Sequence, residues 1–217
     1  MIDLHTHTIF SDGQLVPSEL VRRAEVKGYK AIALTDHVDA SNIDLIVPRL
    51  VKVAKELNRT SPVSVIPGAE ITHVPSGSIK DLVTEARDLG ALIVLVHGET
   101  IVEPVEKGTN IAAIEAGADI LAHPGQITEE QALAARDKGT LLEITSRKGH
   151  SLSNGHVAQM AVKHGAGLIL NTDSHGPSDL ISAEFAERVL MSSGLDSKGV
   201  RAAVDNSEKV LRKVLGL

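Results

Sequence analysis

One junction recurs along the chain: a helix-like segment ends at glycine and a short, continuously apolar run follows. It appears in "EVKGYKAIALTDH", "ARDLGALIVLVHG", "IEAGADILAHPG", "ARDKGTLLEITS" and "AVKHGAGLILNTD", with Gly28, Gly90, Gly117, Gly139 and Gly165 at the joints. Glycine just past a helix reaches the left-handed conformation that closes the last turn at no steric cost. The runs that follow do not alternate with polar residues, which suits strands of a parallel sheet buried on both faces. Two more strands are read in the opening "MIDLH" and in "VSVIPGAEI". The intervening helices are "PSELVRRAEVK", "NIDLIVPRLVKVAKEL", "SIKDLVTEARDL", "EPVEKGTNIAAIEA", "TEEQALAARDK", "NGHVAQMAVKH" and "DLISAEFAERVLMS"; Pro48 should kink the second or mark its true start. Seven strands alternating with seven helices predict an α/β fold, and right-handed crossovers make its sheet parallel. At about 30 residues per βα unit, the length suits a closed, TIM-like barrel slightly smaller than the eight-stranded one. A doubly wound open sheet is the alternative. No linker, low-complexity tract or charge block divides residues 1–217, so one domain is expected. The C-terminal "DSKGVRAAVDNSEKVLRKVLGL" reads as one or two amphipathic helices covering the barrel, or as an interface.

The polar residues that interrupt this pattern fall at the ends of the strands. His5 and His7 close the first strand, Asp12 follows in "SDG", and "ALTDH" brings Asp36 and His37 to the end of the second. Glu70 follows the third, His97 the fourth, His123 the fifth, and Asp173 and His175 the seventh. In a barrel of parallel strands these ends share one rim, where residues distant in sequence converge. With two Phe, one Tyr and no Trp, platforms for stacking bases are nearly absent. A net charge of −6 also argues against an extended nucleic-acid surface.

Imidazole and carboxylate together suit zinc, manganese or iron, and the absence of cysteine excludes thiolate ligands and disulfides. His5, His7, Asp12, His37, Glu70, His97, His123, Asp173 and His175 make nine candidate ligands, enough for two or three divalent ions if a carboxylate bridges. Six histidines crowded as cations would repel one another, and metal binding gives the neutral rings a reason to gather. The remaining histidines read differently. His164 precedes Gly165 at a helix C-terminus, where a cation suits the dipole, and His156 lies within a helix as a packing or surface residue. His73 is assigned to an exposed loop. The segment "SRKGH" after the sixth strand supplies Arg147, Lys148 and His150 on the same rim. Arg147 would grip an anion pairwise, whereas Lys148 reads equally as an anion contact or a solvated charge. No long uncharged apolar run and no signal-peptide pattern is present, so no membrane partner and a cytoplasmic location are expected.

Taken together, "HTHT…SDG", "LTDH", "GAE", "VHGE", "AHPG" and "NTDSH" resemble the PHP family (polymerase and histidinol phosphatase). The resemblance runs from His5 to His175 and implies a distorted seven-stranded (β/α) barrel that hydrolyses phosphoesters with a cluster of three divalent ions. It implies that His5 and His7 hold one ion with Glu70 and Asp173. Glu70 would bridge to a second ion on His97 and His123, and Asp12, His37 and His175 would hold a third. Arg147 matches the position of a phosphate contact in the family. Water activated by metal is the expected nucleophile, with His175 or His150 as candidate proton donors to the leaving group. A small phosphomonoester is the expected substrate. A nucleotide phosphatase or 5′-3′ exonuclease and a non-catalytic, metal-stabilised module are the alternatives.

Overall fold

The computed structural model describes residues 1–216. Its strands are β1 (Ile2–Asp3), β2 (Ala31–Leu34), β3 (His37–Val38), β4 (Ser64–Ile71), β5 (Ile93–His97), β6 (Ile120–Ala122), β7 (Leu141–Thr145) and β8 (Leu168–Asn171). The helices are α1 (Pro17–Val26), α2 (Ile43–Leu57), α3 (Ile79–Asp88), α4 (Thr109–Glu115), α5 (Glu129–Lys138), α6 (Asn154–His164), α7 (Ala183–Ser192) and α8 (Ser197–Leu215). The sheet order is β1-β2-β4-β5-β6-β7-β8, with β3 beside β4, and the ladders are parallel. β3 resumes the line of β2 after Thr35 and Asp36, so the seven expected strands are present with one interrupted.

The interruption has a local cause in "PGAE". β4 pairs with β2 through Pro67, then with β5 from Gly68 onward. The Pro67 carbonyl accepts from the Leu92 N–H just ahead of the Gly68–Ile93 pair, so the missing N–H of proline falls before that ladder begins. A Cβ on Gly68 would stand 2.7 Å from Ile93 Cγ2 and 2.8 Å from Thr35 Cγ2, so only glycine lets the three strands approach here.

The open-sheet alternative is set aside by the meeting of first and last strands. Thr6 and Ser174 form a parallel bridge, and the His7 N–H donates to the Ser174 carbonyl at 2.8 Å. Side chains complete the seam. Asn171 Oδ1 accepts from Leu4 N–H at 2.8 Å, and the buried Asp3 carboxylate takes the Thr172 hydroxyl at 2.6 Å and its N–H at 3.1 Å. The barrel is thus closed by a short bridge and buried hydrogen bonds instead of a full ladder, which is its distortion.

Ile2, Leu4, Ala31, Ala33, Ile66, Ile93, Leu95, Ile120 and Ile169 form an apolar barrel interior, and Val210, Leu211 and Val214 of α8 pack against it. Contacts of α8 with Lys30, Asp119 and Leu168, each just before or at the start of a strand, place it under the N-terminal ends. The C-terminal segment is therefore one helix that covers the barrel floor, leaving the opposite mouth for the polar residues. A second apolar cluster lies between the strands and the other helices. Three helices differ from the reading, α7 by starting at Ala183, where the Ser182 hydroxyl caps it, and not at Asp179. α2 runs unbroken from Ile43 to Leu57, so Pro48 does not mark its start. α4 begins at Thr109, because Gly108 turns left-handed and the Glu99 carboxylate caps the Gly108 and Asn110 N–H groups at 3.0 and 2.9 Å. Residues 99–108 become a loop over the barrel mouth. No helix of the described residues is long and apolar enough to cross a membrane.

Candidate metal centre

The nine candidate ligands meet at the C-terminal mouth, and the chain accepts backbone strain to bring them there. The non-glycine residues with positive φ among those described are His73 (52°), His123 (28°) and Asp173 (53°). Such conformations cost energy and persist where the surroundings hold them, often at functional sites.

Glu70 occupies the middle. Its Oε2 lies 3.2 Å from His5 Nε2, 3.4 Å from His7 Nε2 and 2.8 Å from His37 Nδ1, and its Oε1 is 3.7 Å from His123 Nε2. Asp173 faces it, with Oδ1 3.1 Å from His7 Nε2 and Oδ2 3.6 Å from His123 Nε2. On the outer side Asp12 reaches His37 Nε2 at 3.5 Å and His175 Nε2 at 3.1 Å. The His97 and His123 rings are 4.4 Å apart. Within these contacts four sets offer ligand atoms all within 4.8 Å of one another: His7, Asp12, His37 and His175; His97, His123 and His150; His5, His123 and Asp173; and His5, His7 and Glu70.

The donor set fits divalent ions on chemical grounds. Of the ten buried side-chain nitrogen and oxygen atoms without a hydrogen-bond partner among the described residues, eight belong to this cluster: His5 Nε2, both ring nitrogens of His7, both Glu70 oxygens, His97 Nδ1, His123 Nδ1 and Asp173 Oδ1. Buried polar atoms are costly unless paired, and a cation shared among them satisfies them together. Protons cannot do this uniformly. Burial, reinforced by neighbouring His37 for His7 and His97 for His123, pushes both rings well below the ordinary histidine range. Burial likewise lifts Asp173 to about 7, with Glu70 adding to the rise and His5 opposing it. Neutral imidazoles with free lone pairs are the form a metal requires.

Hydrogen bonds orient the rings. His5 Nδ1 lies 2.9 Å from Glu143 Oε1 and donates its N–H there, which aims Nε2 at Glu70; against burial, the carboxylates of Glu70, Glu143 and Asp173 hold the ring well above the ordinary histidine range, and a cation beside Glu70 would take the place of the Nε2 proton. His175 Nδ1 is 3.0 Å from the Asp173 carbonyl, which can only accept, so Nδ1–H donates there and Nε2 is the ring atom turned to Asp12. Asp36 is not among the ligand sets. It is buried and accepts from the N–H and hydroxyl groups of Thr8 and Ser11, fixing the loop that carries Asp12.

Two carboxylates that contact the cluster escaped the sequence reading. Glu143 lies inside the sixth strand, fully buried, and also takes the His123 N–H at 3.0 Å and the Asn171 amide at 2.9 Å. A lone carboxylate within the apolar run "LLEIT" was the available signal, since glutamate is almost never buried unpaired. Glu143→Gln keeps the shape but removes the charge that orients His5. Metal affinity is expected to fall about 10- to 100-fold, and competition against a coloured chelator measures it; unchanged affinity would remove Glu143 from this role. The other residue, Glu103, comes from the loop over the mouth and lies 3.2 Å from His97 Nε2. Hydrogen bonding from His97, with His73 adding to it, holds its carboxyl down to about 2 against burial.

A cleft of about 480 Å³ opens over the cluster, lined by Asp12, His37, His97, Arg147, Asp173 and His175 among others. Arg147 Nη1 is 3.3 Å from Asp179 Oδ2, and the same oxygen accepts the His175 N–H at 2.9 Å. His150 also lines the cleft, its Nδ1 2.7 Å from the Thr100 hydroxyl. Burial lowers its pKa, with Glu103 opposing, so the neutral ring is favoured. Lys148 is exposed and not among the cleft-lining residues. His156 bonds the Ile127 carbonyl at 2.8 Å, and His164 ends α6, both away from the cluster. His73 lies on an exposed segment but lines the cleft as well.

The family model of the PHP domain matches residues 3–190. The chain belongs to the PHP family. An uncharacterized protein of Methanocaldococcus jannaschii is 47% identical over 213 residues, covering 97% of this PHP chain and 98% of its own. A Clostridium novyi protein named "Probable phosphatase" is 28% identical over 193 residues, covering 81% of this chain and 79% of its own. A chain in the cryo-EM structure of archaeal ribonuclease P with mature tRNA superposes with a TM-score of 0.72 at 17% identity, covering 97% of this chain and 89% of that one. That last likeness is one of fold alone.

Proposed function

We propose that this PHP protein is a metal-dependent phosphoesterase acting on a small phosphomonoester. The observation that carries the reading is the buried set of unpartnered nitrogens and carboxylate oxygens around Glu70, lying beneath a cleft whose wall holds Arg147. Ions bound there would supply a nucleophile from water at neutral pH and neutralise phosphate oxygens. By the family resemblance, His5, His7, Glu70 and Asp173 would hold one ion, His97 and His123 a second with Glu70, and Asp12, His37 and His175 a third.

The chain's own groups do the rest. Asp179 holds the Arg147 guanidinium against the cleft, so its remaining N–H donors can take two phosphate oxygens as charge develops on them. The cleft volume is in the range, roughly 300–1,000 Å³, that encloses a small molecule. Neutral His150, anchored by Thr100, suits proton acceptance or a hydrogen bond to the leaving group better than donation of a full proton. Arg147→Ala is expected to lower kcat/KM about 10- to 100-fold, the worth of a charge-assisted hydrogen-bond pair. Steady-state kinetics on the preferred substrate checks this, and an unchanged kcat/KM would remove Arg147 from phosphate binding.

Phosphate release by protein reconstituted with manganese or zinc tests the function. The panel holds histidinol phosphate, sugar phosphates, mononucleotides with 3′ and 5′ phosphates and a short single-stranded oligonucleotide. Preference for a monoester supports the proposal. Turnover confined to nucleotides or the oligonucleotide would replace it with the nuclease reading, and silence with metal bound would favour the non-catalytic module.

A further inference from the structure

The loop between β5 and α4 brings a carboxylate and the segment after β4 brings an imidazole to the rim of the cleft, outside the nine residues matched by resemblance. Glu103 Oε2 lies 3.0 Å from His73 Nε2 and 3.2 Å from His97 Nε2, and its Oε1 lies 3.4 Å from His150 Nε2. The ligand atoms of His73, His97 and Glu103 are all within 4.8 Å of one another. Two imidazoles and one carboxylate are a set that zinc accepts while keeping a position open. The 3.0 and 3.2 Å from Glu103 Oε2 to the two ring nitrogens approach the separation of about 3.3 Å between ligands of a tetrahedral ion with bonds of about 2.0–2.1 Å.

Three features show that these side chains are held there. His73 has the left-handed backbone it shares with His123 and Asp173 and with no other described non-glycine residue. The Glu103 loop is fixed from several sides: Glu99 caps the start of α4, Glu106 Oε2 accepts the Ser76 N–H at 2.7 Å, and Thr100 bonds His150. Close packing fixes its base, since a Cβ on Gly125 would stand 1.8 Å from the Glu99 carbonyl oxygen. His97 meanwhile meets two surroundings, with Nε2 toward Glu103 and Nδ1 buried and unpartnered, so it serves this cation together with the Glu70–His123 ion only as a bridging imidazolate that has released its ring proton to solvent.

We propose that Glu103 and His73 are metal ligands that, with His97, hold a divalent cation at the mouth of the cleft. The cation would stand between solvent and the buried cluster, its open position facing the incoming phosphate. This rests on the metal-binding reading of the cluster but not on hydrolysis. A protein that bound zinc here and released no phosphate would keep this site and lose the phosphatase reading.

The test is calorimetric titration of the chelator-stripped full chain with Zn(II), comparing wild type, Glu103→Gln and the double variant H73A/E103Q, each first shown to be folded by circular dichroism. The expected result is that the double variant takes up one equivalent fewer, or binds one at least about tenfold more weakly, while the other equivalents keep their affinity. Cobalt(II) supplies a readout that a hydrogen-bonding role would not move. Glutamine can still accept from a ring N–H, but losing an anionic ligand changes the intensity of the visible absorption band. Identical isotherms and identical cobalt spectra would overturn the proposal, and so would a loss of all equivalents together in Glu103→Gln.

Discussion

Glu70→Ala is expected to lower phosphate release by more than about 100-fold and to take bound metal with it. The expectation follows from position. Glu70 is fully buried, and its two oxygens lie 3.2 Å from His5, 3.4 Å from His7, 2.8 Å from His37 and 3.7 Å from His123. An outer partner of a metal ligand is worth about 10- to 100-fold in affinity, and a carboxylate that faces the rings of several groups at once should exceed that. Alanine also leaves those rings without the negative charge that draws cations among them. Metal content per chain and turnover should fall together in a variant that remains folded. Full turnover with normal metal content would sink the assignment of Glu70.

Stripping the ions from the wild-type protein is expected to produce the largest loss of stability. Each ion bound by the folded chain alone at a thousandfold above its Kd stabilises it by about 4 kcal/mol. For a chain of this length that is about 10 °C in Tm per ion. Removal also exposes the unsatisfied cluster of eight buried atoms, so the loss should be cooperative with the barrel closure at Thr6 and Ser174, which lies among the same residues. Thermal unfolding with and without chelator measures it. Restoration by zinc or manganese, and not by an equal ionic strength of monovalent salt, separates binding from screening. An unchanged Tm after verified metal removal would contradict the reading.

The sequence made the fold legible because helix, glycine and apolar run recur with one meaning, and the barrel follows from repeating it. What it could not show was how the barrel closes. Asp3 and Asn171 do that through contacts between residues about 170 apart, and no local pattern signals them. The candidate ligands were legible for a related reason: His5, Glu70, His97, His123 and Asp173 lie at or just beyond strand ends, and a parallel barrel carries all such ends to one mouth. The structure brings those five together with His7, Asp12, His37 and His175. Residues off that rule were missed. Glu143 lies within β7 and bonds His5, while Glu103 lies in a stretch read as helix until the Glu99 cap and Gly108 show it to be loop. His73 was assigned to an exposed loop, and its strained backbone, which turns the ring toward Glu103, is a property of the folded chain alone.

The central claim is that one centre of divalent ions sits at the barrel mouth among these residues. Anomalous diffraction at the metal absorption edge, from crystals of the full chain grown with zinc or manganese, tests it most directly. Peaks are expected among His5, His7, Glu70 and Asp173, between His97 and His123, and among Asp12, His37 and His175. A fully ordered cluster with no anomalous peak at metal concentrations that saturate the protein in solution would contradict it.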